Sequence, residues 1–221
     1  MAQRAKARRE ESLSRDRIVE AAIELLDQSG EEGLTFRALS VKLATGPGAI
    51  YWHIADKSEL LTAACGAIVA RTISAPSADE KPEEAIRNLA LGMFDAIDDH
   101  PWVGSVLAGP EGQLPMVDIL EPLGQRVATL GVSGERQWAV VGALLNYILG
   151  VGGQNAAHGQ LARQRGLDRS DFLDAVATMW SRLDPDKYPF TRGVAAQMRD
   201  HDDRADFLAG IDLILGGIQS A

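Results

Sequence analysis

Hydrophobic positions in the first 45 residues repeat with the period of an α-helix. Between residues 15 and 29 the apolar residues recur at the i, i+3, i+4, i+7 and i+8 positions of one helix face. Ser14 can cap the start of this helix, and Gly30 and Gly33 follow it. A second helix is predicted from a Thr35 cap to about Ala44, with a shorter apolar stripe. The stripes are Ile18, Ala21, Ala22, Leu25 and Leu26 in the first helix, and Phe36, Leu39 and Leu43 in the second.

The stretch "LATGPGAIYWHIADK", residues 43–57, interrupts the pattern and then resumes it. Gly46 and Pro47 suit the N-cap and first position of a short third helix, which we expect to end near Ile54. The next residues, "DKSE" from Asp56, resemble a capping box in which Glu59 reaches back to the helix start. They predict a fourth helix that extends to about residue 73.

The rest of the chain predicts further helices and no strands. Helical periodicity covers about residues 83–99, 101–108, 113–130, 134–158, 169–183 and 201–219, with prolines at or between the ends. We therefore expect an all-α fold of nine or ten helices. The polar, proline-containing segment 74–82 is the best candidate boundary. The predicted organisation is a flexible basic arm at 1–13, a small helical domain at 14–58, a connecting helix at 59–74 and a C-terminal domain at 75–221.

Charge is distributed unevenly between these parts. The chain carries a net charge of -9, but residues 1–58 sum to zero, so all of the acidity lies in residues 59–221. A neutral N-terminal part with basic residues at its start, followed by an acidic remainder, is typical of a protein that contacts the phosphates of a partner only through its N-terminal part. The single cysteine, Cys65, excludes an internal disulfide and a cysteine-cluster metal site. No apolar run reaches membrane-spanning length and the basic start lacks a signal-peptide core, so we expect a cytoplasmic protein.

The short third helix explains the interruption. Two helices joined by a short glycine-containing turn form a helix-turn-helix, whose second helix reads the major groove of DNA. Ile50 and Ile54 are spaced to pack inward, which leaves Tyr51, Trp52 and His53 largely outward. Tyrosine and histidine can donate to phosphates, and tryptophan can lie along a sugar edge. From spacing alone, an ordinary helical corner remains the alternative.

The quoted segments resemble the N-terminal domain of the tetracycline-repressor (TetR) family over about residues 12–65. The resemblance is carried by "LTFRALSVKL", the Gly–Pro turn and "AIYWHIADKSELL". It implies an N-terminal helix-turn-helix domain followed by a larger helical domain for ligand binding and dimerisation. Family members usually place glycine at the position of Ala44, so the turn is expected to start later, at Gly46.

The resemblance also assigns roles to residues. At the start of the second helix, Thr35 and Arg37 would touch phosphate. Because the third helix offers no Arg, Asn or Gln for a bidentate base contact, thymine methyl groups and DNA shape would supply much of the specificity. Five residues would face base edges or sugars, namely Thr45, Pro47, Gly48, Ala49 and Trp52. Three would contact the DNA backbone, namely Tyr51, His53 and Lys57. The arm residues Arg4, Lys6, Arg8 and Arg9 would either contact DNA or form a solubilising tail.

Helices 134–158 and 201–219 combine apolar residues with glycines on both faces, and the resemblance implies that this pair forms a homodimer interface. A looser resemblance to the tetracycline repressors covers most of the remaining chain. It places Ile73, Leu107 and Gln154 where those repressors hold drug and magnesium, so we expect no metal site and a hydrophobic or aromatic effector. Candidate ligand residues are Leu89, Met93, Trp102, Leu107, Met116, Leu120, Tyr147, Gln154 and Trp180.

The sequence thus favours a DNA-binding transcriptional regulator. The leading hypothesis is a repressor that is released from operator DNA by a small apolar or aromatic effector. A helical ligand sensor without DNA binding is the alternative. An all-α enzyme is a weaker one, since no nucleophile–base pair, H-E-x-x-H motif or phosphate-binding glycine loop is present. No cofactor and no membrane partner are predicted.

Overall fold

The computed structural model describes residues 13–73 and 80–219. These residues form α-helices and two short 3₁₀-helices, without strands, which confirms the all-α prediction. The α-helices are α1 (Arg15–Gly33), α2 (Phe36–Lys42), α3 (Pro47–Tyr51), α4 (Lys57–Thr72), α5 (Pro82–Asp99), α6 (Trp102–Ala108), α7 (Gln113–Thr129), α8 (Gly134–Gln164), α9 (Arg169–Ser181), α10 (Pro189–Val194) and α11 (Asp203–Gln219). The 3₁₀-helices are Pro110–Gly112 and Ala195–Asp200. The arm residues Arg4, Lys6, Arg8 and Arg9 and most of the predicted boundary segment lie outside the described residues.

Several helix ends differ from the prediction. Helix α1 continues past residue 29 to Gly33, across a kink at Gly30, whose φ is 64°. Helix α8 extends beyond residue 158 to Gln164, because Ala156 and Ala162 continue its buried face. It ends where Gly166 takes a left-handed φ of 66° and the Leu167 amide donates to the Ala162 carbonyl over 3.0 Å. Helix α10 and the 3₁₀-helix after it were not predicted, because their apolar residues are too few to show a period.

The chain divides into two compact units. The first contains the described residues of Met1–Ala75 together with His100–Leu123. Its core is formed by α1 to α4, and α6 packs against both α1 and α4. Residues 100–123, which are predicted to belong to the C-terminal domain, are grouped with this unit by their contacts. The side chains that are almost fully buried here include Ile18, Leu26, Leu34, Leu39, Ile50, Ile54, Leu60 and Ile119.

The second unit contains the described residues of Pro76–Asp99 together with Gly124–Ala221. Helices α5, α8 and α11 pack against one another, and α9 packs mainly against the 3₁₀-helix Ala195–Asp200. Gly152 of α8 permits a close approach to α5, since a Cβ at this position would lie 3.2 Å from the Cδ1 atom of Ile97. Within the described part of the chain, no helix has both the length and the hydropathy needed to cross a membrane.

Candidate nucleic-acid interface and ligand cavity

The turn of the helix-turn-helix begins at Ala44, which has a φ of 49°. The Leu43 amide donates to the Leu39 carbonyl over 2.8 Å, and the Thr45 amide reaches back to the Ser40 carbonyl over 3.0 Å. This is a helix end closed by one left-handed residue, a conformation that glycine adopts without strain and alanine does not. The expectation that the turn starts later, at Gly46, is therefore wrong. Alanine occupies the left-handed position itself.

Helix α3 begins as predicted, with Gly46 in extended conformation as the N-cap and Pro47 at the first position. It ends at Tyr51 and not near Ile54, although amide-to-carbonyl bonds from His53 and Ile54 to Ile50 continue the turn. Ile50 and Ile54 are 0% and 1% exposed, which confirms their inward packing. The helix is thus anchored by two isoleucines, while its other side remains open.

Two aromatic rings dominate the open side of α3. Trp52 is 88% exposed and Tyr51 is 55% exposed. The Tyr51 ring stacks on Phe36 of α2 with ring centroids 4.4 Å apart and planes 4° from parallel. Because this stacking fixes the ring and leaves one side open, the Tyr51 hydroxyl is presented to solvent in a defined direction. His53, expected to point outward, is half-buried.

A polar cluster holds the segment that follows α3. The Arg15 Nη1 atom donates to the His53 carbonyl over 2.9 Å and to the Glu59 Oε1 atom over 2.6 Å. Glu59 Oε2 accepts from the Ala55 amide over 2.7 Å, so the carboxylate reaches one residue further back than the predicted capping box requires. The Ala55 amide, and after it Arg15, hold the pKa of Glu59 below its ordinary value. This cluster links the end of α3 to both α1 and α4.

All ten predicted DNA contacts lie in the first unit, between residues 35 and 57. The Thr35 Oγ1 atom caps α2 by accepting from the Ala38 amide over 3.1 Å, and the Lys57 ammonium donates to the Glu31 carbonyl. Most of the ten are solvent-exposed. The exposed ones are Thr35, Arg37, Pro47, Gly48, Tyr51, Trp52 and Lys57, and the half-buried ones are Thr45, Ala49 and His53.

The second unit contains a partly open cavity of about 440 Å³ among α5, α8, α9, the 3₁₀-helix Ala195–Asp200 and α11. Aromatic rings form much of its wall. Phe207 stacks on Phe94 with centroids 4.6 Å apart and on Tyr147 with centroids 5.5 Å apart. Phe172 and Trp180 of α9 also line it. Such a wall favours a ligand with flat apolar surface.

Polar groups are concentrated at one part of the cavity wall. Arg169 pairs with Asp203 through both carboxylate oxygens, with Nε 2.8 Å from Oδ2. The His201 ring lies 3.1 Å from Asp203 and 2.7 Å from Asp206. The Tyr147 hydroxyl donates to the Phe207 carbonyl over 3.3 Å, and burial, followed by the Asp206 charge, raises the pKa of Tyr147.

The nine predicted ligand residues are divided between the two units. Tyr147, Gln154 and Trp180 line the cavity, whereas Leu89 and Met93 are buried in the core of the same unit. The other four, Trp102, Leu107, Met116 and Leu120, belong to the first unit. There the Trp102 indole donates to Asp27 of α1 over 2.7 Å, and His100 contacts the same Asp27 oxygen at 2.7 Å.

Sequence reasoning missed several residues that line the cavity, among them Arg169, Phe172, His158 and His201. One pair among them could have been recognised from the sequence. Arg169 and Phe172 are three residues apart on α9 and so share one face of that helix. His158 and Phe172 come from different helices, and only the tertiary structure brings their rings to 5.8 Å.

Comparisons with known proteins agree with this architecture. The family model for bacterial regulatory proteins of the tetR family matches residues 18–64, which begin within α1 and end within α4. The structure of the transcriptional regulator SCO7222, a TetR from Streptomyces coelicolor, is 52% identical in sequence and has a TM-score of 0.84. The match covers 95% of this chain and 99% of that one. The chain belongs to the TetR family. It is a DNA-binding transcriptional regulator.

Two other TetR-family relatives are informative. The tetracycline repressor protein class D of Escherichia coli is 25% identical over 209 residues, which are 94% of this chain and 89% of the relative. The crystal structure of BioQ with its double-stranded DNA operator is similar with a TM-score of 0.59 and 29% identity, over 70% of this chain and 93% of BioQ.

Proposed function

We propose that this TetR-family regulator is a repressor that binds operator DNA through α3 and dissociates when a small aromatic effector occupies the cavity of its second unit. The observation that carries the DNA part is the anchoring of α3 by Ile50 and Ile54, which turns the exposed Tyr51 and Trp52 outward. BioQ, whose structure contains its operator, and the tetracycline repressor support the proposal as relatives.

The contact proposed for each residue is based on its position and exposure. The stacked and exposed Tyr51 can donate its hydroxyl to a phosphate, and the Lys57 ammonium has donors left after it bonds the Glu31 carbonyl. Pro47, Gly48 and Ala49 form the start of α3, where small residues let the helix approach base edges. Trp52 would lie against sugars.

Salt titration tests these roles. Binding of the full chain to the DNA upstream of its own coding region is measured by fluorescence anisotropy across salt concentrations. The double variant Tyr51→Phe, Lys57→Ala is expected to weaken binding to all sequences alike. It should also lower the slope of log affinity against log salt by about 0.9 for each bound subunit.

The matched control is Lys187→Ala, which removes the same charge from an exposed lysine of the second unit. This variant should leave the slope unchanged. If the slope is also unchanged for the Tyr51 and Lys57 double variant, Lys57 does not contact phosphate, and if the affinity is unchanged as well, neither residue does. If the unaltered chain fails to bind this DNA, the proposal that its operator lies upstream of its own coding region is wrong.

We also propose that the regulator is a homodimer through α8 and α11. Trp138 of α8 and Leu213 of α11 are 75% and 79% exposed, and they lie on the two helices whose faces both carry apolar residues and glycines, so an interface between these helices would remove their apolar surface from water. Dimerisation would place two copies of α3 on one duplex, one helical turn apart.

Light scattering after size exclusion tests the dimer, with an expected mass of two 23.7 kDa chains. Leu213→Asp should shift the mass toward a single chain. Leu114→Asp changes a leucine that is 71% exposed in the first unit, and it should leave the dimer intact. A single-chain mass for the unaltered protein at micromolar concentration would contradict the proposal.

Effector release requires that the effector bind the DNA-incompatible conformation more tightly than the DNA-binding one. Compounds are first selected from an aromatic library by their stabilisation of the full chain against heat. A selected compound should then lower the anisotropy of the protein–DNA complex. Trp180→Ala, which removes one aromatic side chain of the cavity wall, should abolish release of the DNA by the compound. It should not change the DNA affinity in the absence of the compound. Retained release in this variant would place the effector elsewhere.

A further inference from the structure

One donor in the cavity wall, the Nη1 atom of Arg169, lacks a hydrogen-bond acceptor within the described part of the chain. Arg169 is the first residue of α9, and its Nε and Nη2 atoms donate to the two carboxylate oxygens of Asp203, over 2.8 Å for Nε. Its side chain is 33% exposed, but the Nη1 atom itself is shielded from water. Shielded donors in folded proteins almost always have an acceptor, so this one needs an explanation.

The contact with Asp203 fixes the side on which the unused donor lies. A guanidinium group is planar, and Nε and Nη2 share one edge of it, so Nη1 lies away from the Asp203 carboxylate. The Arg169 Cζ atom is also 5.8 Å from the centre of the Phe172 ring, one turn further along α9. A carboxylate and an aromatic ring thus hold the guanidinium in place, while the two N–H groups of Nη1 remain unused.

Two other carboxylates at this end of the cavity do not supply the missing acceptor. Asp206 lies 2.7 Å from the His201 ring. Asp98, in an adjoining recess, accepts from the Asn155 side-chain amide over 2.9 Å. Neither forms a hydrogen bond with Nη1 of Arg169. A molecule bound in the cavity can supply an acceptor that these residues do not.

Beyond Arg169, the same face of α9 is apolar. Val176 and Trp180 follow Arg169 by seven and eleven residues, which is the spacing of one helix face, and both are half-buried and line the cavity. Eleven residues of helix cover about 16 Å. Phe94 and Phe207, by contrast, are 2% and 1% exposed and stack on each other, so they close the cavity. A bound molecule therefore meets a donor at one end and apolar surface along α9.

The wall of the cavity can adjust to such a molecule. Met179 and Met198 also line it, and an unbranched methionine side chain with three rotatable bonds repacks easily. Because Nη1 of Arg169 is shielded in this structure, an acceptor reaches it only after a wall side chain of this kind moves.

Resting on the proposed effector role of this cavity, we infer that the effector is a neutral aromatic carbonyl compound, whose oxygen accepts from Arg169 Nη1 and whose rings lie against Val176 and Trp180. A neutral oxygen suffices because Asp203 already balances the guanidinium charge. A hydrocarbon of the same shape would gain the apolar contacts alone and leave Nη1 unpaired.

Three compounds with one ring frame test the acceptor. They are 9-fluorenone, which carries a carbonyl group, fluorene, which is the matching hydrocarbon, and fluorene-9-carboxylate, which is an anion at neutral pH. Binding to the full chain without DNA is measured by equilibrium dialysis, in which the protein is varied and the sparingly soluble compounds stay dilute. We expect 9-fluorenone to bind about tenfold more tightly than fluorene, because a hydrogen bond to a charged donor is added to the same apolar contacts. The anion should bind more weakly than 9-fluorenone.

A charge-conserving variant locates the effect. Arg169→Lys removes Nη1 but keeps a positive charge for Asp203, so it should abolish the preference for 9-fluorenone over fluorene. Comparing the two compounds within each variant cancels any general weakening of the cavity. The matched control is Arg199→Lys, since Arg199 pairs with Asp174 over 2.8 Å and does not line the cavity. It should leave the preference unchanged. Thermal denaturation of each variant without compound confirms that it is folded.

Infrared spectroscopy of the bound ketone reports the hydrogen bond itself. Donation to a carbonyl oxygen weakens the C=O bond and lowers its stretching frequency. With an isotope label on the carbonyl carbon, 9-fluorenone bound to the unaltered chain should absorb at lower frequency than in an apolar solvent. This shift should be smaller when the ketone is bound to Arg169→Lys.

Four results would each overturn the inference: no binding of 9-fluorenone, equal affinity for 9-fluorenone and fluorene, tighter binding of the anion than of the ketone, or an unshifted carbonyl band. An unchanged preference in folded Arg169→Lys would do the same. The proposed function fails differently. If 9-fluorenone binds with the expected preference but no selected compound releases the operator, the cavity binds carbonyl compounds without controlling DNA binding. If a hydrocarbon binds more tightly than its ketone and releases the operator, the effector role stands and the acceptor inference is wrong.

Discussion

Replacing Ala44 by glycine is expected to stabilise the helix-turn-helix. Ala44 is solvent-exposed and has a φ of 49° at the end of α2. For an L-residue with a Cβ atom, the left-handed conformation costs about 1–2 kcal/mol. Glycine avoids this cost. Because the side chain is a single exposed methyl group, its removal leaves no cavity in the core.

The net gain is smaller than the strain that is relieved. Glycine increases the conformational entropy of the unfolded chain, which offsets about 0.4–1 kcal/mol of the benefit. The free energy of unfolding should therefore rise by about 1 kcal/mol. For a chain of 221 residues this corresponds to an increase in melting temperature of about 2–4 °C.

Thermal denaturation followed by circular dichroism, at one fixed protein concentration, measures the effect. The matched control is Ala70→Gly, an exposed alanine inside α4, where glycine should destabilise by about 1 kcal/mol. The two variants thus carry the same chemical change and should shift the melting temperature in opposite directions. If Ala44→Gly lowers the melting temperature as Ala70→Gly does, the turn does not pass through a left-handed residue at this position.

Two further predictions concern the interiors of the two units. A Cβ at Gly210 would lie 1.9 Å from the Tyr147 hydroxyl oxygen, so Gly210→Ala should cost about 1–3 kcal/mol in the free energy of unfolding. Gly124→Ala, with nothing within 4 Å of the new Cβ, should not destabilise, and equal melting temperatures for the two variants would contradict the close contact. Burial raises the pKa of the Cys65 thiol from 9.0 to about 12, so the folded chain should not react with a disulfide reagent at pH 8, while the denatured chain should release one equivalent. Because the folded state favours the protonated thiol, this contribution to stability is fully present below about pH 9 and is lost as the pH rises toward 12, which denaturation at stepped pH measures.

The DNA-binding part could be predicted closely because its signals are local. The caps at Ser14 and Thr35, the Gly46–Pro47 start of α3 and the inward isoleucines all depend on residues a few positions apart. Local spacing failed at the ends of α1 and α3, and where a conformation departs from the usual preference of a residue. Ala44 in a left-handed conformation is the clearest case, because sequence preference assigns that position to glycine.

The cavity could not be predicted in the same way. Its wall joins side chains from α5, α8, α9 and α11, and the Arg169–Asp203 pair spans 34 positions of sequence. Leu89 and Met93 follow an apolar helical spacing, which does not distinguish a residue that lines a cavity from one that lies in the core. Both are buried in the core.

The sequence alone therefore determined most of the helices, the helix-turn-helix and the uneven division of charge, since periodicity, capping and composition are properties of neighbouring residues. Only the tertiary structure decided which aromatic and acidic side chains share a cavity, because that depends on how distant helices pack.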